Sequence, residues 1–125
     1  MAFQSFEELE VWKRGCTLAV YVYESLADSR DFGLRDQMQR AAVSIPSNIA
    51  EGYERSSKDF ARFLSIAKGS AAELRTQSYI AYKVGLIHAE QMNHIVEETK
   101  QLARMLQALS KSRTHPPGPL KKPEP

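Results

Sequence analysis

The sequence predicts an all-α fold, an antiparallel up-down-up-down bundle of four helices. Three observations carry that prediction. Apolar residues recur at steps of three and four along four segments, and no segment shows the alternation of a half-buried strand. The breaks between segments are short and rich in turn formers. Short connections make successive helices fold back on one another, which favours a bundle over a dimer of helical hairpins. At 125 residues, with 42% hydrophobic and 26% charged residues, the chain is sized and composed like one soluble domain.

The first helix is expected from about Phe6 to Ala27, with Leu9, Trp12, Cys16, Ala19, Tyr23 and Leu26 on its packed face. Ser5 and Glu8 have the spacing of a capping box. The segment DSRDFG then breaks the pattern. The second helix is expected from about Leu34 to Tyr53, packing through Leu34, Met38, Ala41, Ile45, Asn48 and Gly52, with Gly52 near its C-terminal end. Ser56 or Ser57 opens the third helix, with Asp59 complementing the dipole of its first turn. Phe60, Leu64, Ala67, Ala71, Leu74, Ser78 and Ala81 form its packed face, and Gly85 closes it. The fourth helix is expected from about His88 to Ser110, packing through Met92, Ile95, Thr99, Leu102, Leu106 and Leu109. Beyond residue 112 the composition changes. The stretch THPPGPLKKPEP holds five of the six prolines and little to bury. The chain therefore divides into a bundle over residues 1–112 and a proline-rich basic tail over 113–125, expected to be extended and solvated.

These faces leave apolar residues over. Val11, Leu18, Val20 and Val22 on the first helix, Ala42, Val43 and Ile49 on the second, and Phe63, Ile66, Tyr79, Ile80 and Tyr82 on the third lie off the packed faces, and in a lone four-helix bundle some of them would face water. A second apolar stripe on several helices predicts burial between subunits, hence a homo-oligomer.

The chemistry-bearing residues are few. Cys16 is the single cysteine, so no intramolecular disulfide or cysteine-rich metal site can form, and its place on an apolar face marks a structural thiol. His88 and His94 are six residues apart, off the spacing of a helical metal pair, and His115 lies in the tail. There is no phosphate-loop, dinucleotide or nucleophile-elbow motif. Glu51 and Glu73 could be paired as carboxylates but read as hydrogen-bonded structural acids. No enzyme, cofactor or metal is therefore expected. The first residues lack the basic start and apolar core of a signal peptide, and no apolar run spans a bilayer, so a cytoplasmic setting without a membrane is expected.

The net charge of +2 does not by itself imply nucleic acid. The distribution is more telling. Arg55, Lys58 and Arg62 cluster where the second helix turns into the third, and Lys68 and Arg75 continue along the third. From Lys100 onward, Lys100, Arg104, Lys111, Arg113, Lys121 and Lys122 face a single acid, Glu124. Such groups suit phosphate contacts. The residues expected to bind nucleic acid are Arg55, Lys58, Arg62, Lys68 and Arg75, with Lys121 and Lys122 assisting; the alternative is a solvated face.

The stretch RAAVSIPSNIAEG places Pro46 inside a helix, where it removes a hydrogen bond and costs roughly 3 kcal/mol. Ser44, Ser47 and Asn48 are suited to satisfy the carbonyls so freed. Gly69 and Ser70 are small enough for the second helix to approach the third, and Glu73 can accept from Asn48 or pair with Arg40. Arg40, Pro46, Asn48, Glu51, Gly52, Gly69, Ser70 and Glu73 thus read as a structural constellation fixing register and packing.

Together, FEELEVWKRG, RAAVSIPSNIAEGYERSSKDFARFLSIAKGSAAELRTQ and KVGLI resemble the four-helix bundle proteins encoded by intervening sequences of bacterial 23S rRNA genes. The resemblance covers most of Phe6 to Leu109. It implies a homopentamer and supplies no catalytic set. It also implies a distant kinship with the accessory variability proteins of diversity-generating retroelements, whose pentamers bind a reverse transcriptase and nucleic acid through a basic surface. The partners it brings into view are RNA or DNA or, for a scaffold without direct nucleic-acid contact, a reverse transcriptase or ribosomal component. His88 stands where many relatives carry a serine cap.

Overall fold

The computed structural model describes residues 5–114. A 3-10 turn, Phe6–Glu8, precedes four helices: α1 Glu10–Ser25, α2 Phe32–Tyr53, α3 Ser57–Lys83 and α4 Ala89–Thr114. Among the described residues there is no strand.

The entry into α1 departs from expectation. The Ser5 side chain makes no capping bond; its carbonyl accepts the Glu8 N–H at 3.2 Å, which winds a 3-10 turn. Leu9 then adopts extended backbone, and its carbonyl accepts from Trp12 and Lys13 to start the helix. The packed face of α1 is also rotated from the expected one. Val11, Gly15, Leu18 and Val22 are buried, whereas Trp12 and Cys16 are half-buried and Tyr23 is 48% exposed. Leu9, Ala19 and Leu26 are buried as expected. Gly15 gives the physical reason. An added Cβ there would sit 3.4 Å from the Pro46 ring, so α1 approaches α2 through its smallest residue.

In α2, Asp31 caps the N-terminus by accepting the Leu34 N–H at 3.1 Å, which starts the helix earlier than expected. Met38, Ala41 and Ile45 are buried, as are Ala42, Pro46 and Ile49, so Ala42 and Ile49 belong to the core rather than to a surplus. Gly52 lies within the last turn and not beyond it. A Cβ on it would meet the Phe63 Cβ at 2.5 Å, so only glycine lets α2 and α3 pack this closely.

The third helix buries its expected face, and Phe63, expected to be left over, is buried too because it packs against Gly52. Ser56 accepts the Asp59 N–H at 3.3 Å, and every residue of the expected face is buried. It ends with Gly85 at φ +84, the Gly85 N–H on the Tyr82 carbonyl and the Leu86 N–H on the Ala81 carbonyl. This paired closure is the Schellman pattern, and the positive φ explains the glycine. At the start of α4 the Gln91 side chain accepts the His88 N–H at 2.8 Å, which is half of a capping box. The helix continues to Thr114, past Ser110 and two residues beyond the expected boundary at 112. Most of the proline-rich tail, with His115, Lys121 and Lys122, lies outside the described residues.

The core joins all four helices, and its largest fully buried members include Phe60, Leu18, Met38, Ile45, Ile95 and Leu102. Two buried hydroxyls bond within their own helices: Ser78 donates to the Leu74 carbonyl and Thr99 to the Val96 carbonyl. Burial therefore leaves neither hydroxyl unpaired.

Candidate nucleic-acid interface

The turn between α2 and α3 brings Arg55, Lys58 and Arg62 close in sequence, but the structure compensates two of the three. Arg55 donates to Glu51 at 3.0 Å, one turn back along α2. Arg62 lies 3.7 Å from Asp59. Both guanidinium groups also rest on the Phe63 ring, at 5.0 and 4.8 Å from its centroid. Phe63 is 8% exposed, so the two arginines roof a buried ring. Lys58 is exposed beside them. The turn is thus less basic than its composition suggests.

Lys68 and Arg75 lie elsewhere. They are seven residues apart on α3 and share one face of that helix. The Lys68 ammonium donates to the Gln107 side chain of α4 at 2.6 Å, which sets this face along the groove between α3 and α4. A shallow recess of about 150 Å³ opens there, lined by Leu64, Ser65, Lys68, Leu106, Gln107 and Ser110. From α4, Lys100, Arg104 and Lys111 fall on the Gln107 stripe at helical spacing. Arg104 bonds to neutral Gln101. Among the described residues, Lys68, Arg75, Lys100 and Arg104 pair with no carboxylate. No acid follows Glu98 in α4. Lys100, Arg104 and Lys111 were visible in the sequence as part of a basic run; only the Lys68–Gln107 contact sets them beside Lys68 and Arg75.

The constellation around Pro46 forms in part. Asn48 donates to the Ser44 carbonyl at 2.8 Å and to the Ser44 hydroxyl at 2.9 Å, and that hydroxyl lies 2.8 Å from the Ser70 hydroxyl. A polar chain therefore links α2 to α3 through Ser70. Glu73 takes no part in it. It is exposed, lines a cleft of about 160 Å³ with Gln37, Arg40, Ala41 and Ser44, and makes no ion pair with Arg40. Gly69 faces open space and does not mediate the approach of α2, a role that Gly52 fills. Glu51 serves Arg55.

On the far side, α1 and α2 present an apolar trough of about 400 Å³ lined by Phe6, Trp12, Cys16, Ala19, Val43, Pro46, Ser47 and Ala50. Burial pushes the Cys16 thiol pKa up from its ordinary value. Between α1 and α4, Arg14 grips Glu98 through two bonds of 2.9 Å. The Glu98 hydrogen bond raises the Arg14 pKa, with burial opposing. His94 lies against the Tyr21 ring at 4.3 Å. Among the described residues no group of three or more histidine, cysteine or carboxylate side chains is placed to hold a metal, and no helix is long and apolar enough to cross a membrane.

A family model described as 23S rRNA-intervening sequence protein matches residues 7–108. A solved structure is also similar: the 1.70 Å crystal structure of a protein with unknown function from the S23 ribosomal protein family of Bacteroides thetaiotaomicron VPI-5482. The two share 25% identity and superimpose with a TM-score of 0.75 over 81% of this chain and 98% of that one. No curated protein matches the chain.

Proposed function

Since the chain belongs to the 23S rRNA-intervening sequence protein family, we propose that it is a non-enzymatic, homo-oligomeric helical bundle that binds RNA or other nucleic acid through its basic surface. The observation that carries this reading is the uncompensated row of Lys68, Arg75, Lys100 and Arg104 along α3 and α4. Cations that keep their charge attract phosphates and release counterions on contact. Arg55, Lys58 and Arg62 contribute less, because two of them already hold acids.

The bundle is read as antiparallel and up-down-up-down. Ser44 meets Ser70 and Gly52 meets Phe63, so residue numbers rise along α2 as they fall along α3, which supports that topology. The trough between α1 and α2 supports self-association, for which the family resemblance suggests five copies. A ring would repeat the basic face around its circumference and strengthen its field. A cytoplasmic setting fits both. The second reading, a scaffold for a reverse transcriptase or ribosomal component, is favoured by the compensation of Arg55 and Arg62.

Binding of labelled RNA across a salt series tests the two readings. The expected result is an affinity that falls steeply with salt and is lost when Arg75 and Lys100 are reversed to glutamate. Full affinity in that double variant, with its helix content intact, sinks the phosphate reading of this face. A protein that binds no RNA at low salt leaves the scaffold.

A further inference from the structure

We infer that the α3 side of the basic groove takes single-stranded nucleic acid, with Tyr79 and Tyr82 stacking on unpaired bases while Lys68, Arg75 and Lys100 hold the phosphates. This rests on the nucleic-acid reading above and adds the class of strand. Lys68, Arg75, Tyr79 and Tyr82 follow one another at steps of seven, four and three, so they line one face of α3 over about 21 Å. The Lys68–Gln107 bond sets that face along α4, where Lys100 and Arg104 share the Gln107 stripe. Ala72, exposed and small, lies between Lys68 and Arg75 and keeps the surface low there. Tyr79 and Tyr82 are 46% and 40% exposed, although each ring carries enough apolar area to favour burial. Glu97, one turn from Lys100, is the acid nearest this stripe on α4.

Rings beside free cations discriminate by strand class for a physical reason. In a duplex the base faces are stacked and hidden, so only phosphates are available. In a single strand the faces are open, and aromatic stacking adds to the phosphate contacts with little regard for sequence. A cationic face without rings would bind both forms through charge alone.

Fluorescence anisotropy distinguishes these cases, using a labelled single-stranded RNA of about 15 nucleotides and its duplex at about 50 and 200 mM salt. The expected result is that the single strand binds about tenfold or more tightly than the duplex. Tyr79→Ala and Tyr82→Ala should each weaken single-strand binding by about tenfold and leave duplex binding and the salt slope unchanged, and Tyr→Phe should restore it. Both side chains are exposed, and circular dichroism checks that the variants stay helical. Equal binding of strand and duplex, or alanine variants that bind like wild type, overturns this inference and leaves the phosphate reading standing. Failure to bind either form at low salt overturns both.

Discussion

Two outer grooves of this molecule lie over one continuous core yet present opposite chemistry. The groove between α1 and α2 is apolar, with Trp12, Cys16, Val43 and Pro46. The groove between α3 and α4 is flanked by cations, Lys68 and Arg75 along α3 and Lys100 and Arg104 along α4. Every helix satisfies the same inward requirement, so the core cannot be what distinguishes them. The difference lies in the flanking stripe next to each packed face, where side chains are half-exposed and free to serve partners.

The sharpest test of that division is on α1. Leu18→Ala should destabilise the fold by about 2–5 kcal/mol, since Leu18 is 1% exposed, whereas Trp12→Ala should cost less, since Trp12 is only half-buried against the core and the Phe6 ring. Chemical denaturation of both variants checks this, and a reversed order would mean that α1 packs through its other stripe. Gly52→Ala follows, at roughly 1–3 kcal/mol, because the new methyl overlaps Phe63 on the seam that supports both grooves. Next, Val43→Glu places a charge on the 41% exposed rim of the trough; light scattering should show a smaller assembly with helix content unchanged. Reversing Arg55 and Arg62 should change the salt dependence of RNA binding less than reversing Arg75 and Lys100, because their charge is already shared with Glu51 and Asp59.

The smallest effects come from titration. The Arg14 pKa is raised on folding, so its stabilisation is present at every pH below the ordinary arginine value and is lost only as pH rises through the raised one. Thermal unfolding between pH 6 and 9 should accordingly show no step from this pair (about 6 to 9 being well below the arginine range). The raised Cys16 pKa should slow alkylation relative to a free thiol, which the rate of reaction with iodoacetamide at neutral pH measures.

Much of this was legible in the sequence. On α3 every residue of the expected face is buried, because those positions keep one unbroken 4-3 rhythm over seven residues, although Phe63, set aside as surplus, is buried beside them. On α1 the same reasoning failed, because two apolar stripes lie side by side and periodicity cannot say which faces inward. The Gly15–Pro46 contact decides it, and that contact joins residues far apart in the chain. Ser5 and Glu8 had the spacing of a capping box, but spacing does not fix the backbone angles that let a side chain turn back. The basic site was half legible. Composition identified the cations, while which of them keep their charge depended on Glu51 and Asp59, and which lie together depended on the Lys68–Gln107 bond.

The notch at Gly52 has a mechanical consequence. Sliding α2 along α3 by one turn, about 5.4 Å, so that Asn48 takes the place of Gly52 would bring to the Phe63 Cβ a residue that carries the carbon for which there is no room. The same slide would part the Ser44 and Ser70 hydroxyls. Steric exclusion and a polar latch thus lock one translational setting, like a key in a shaft. Because α3 carries Lys68 and Arg75, the position of those cations along the bundle is set by a residue that has no side chain.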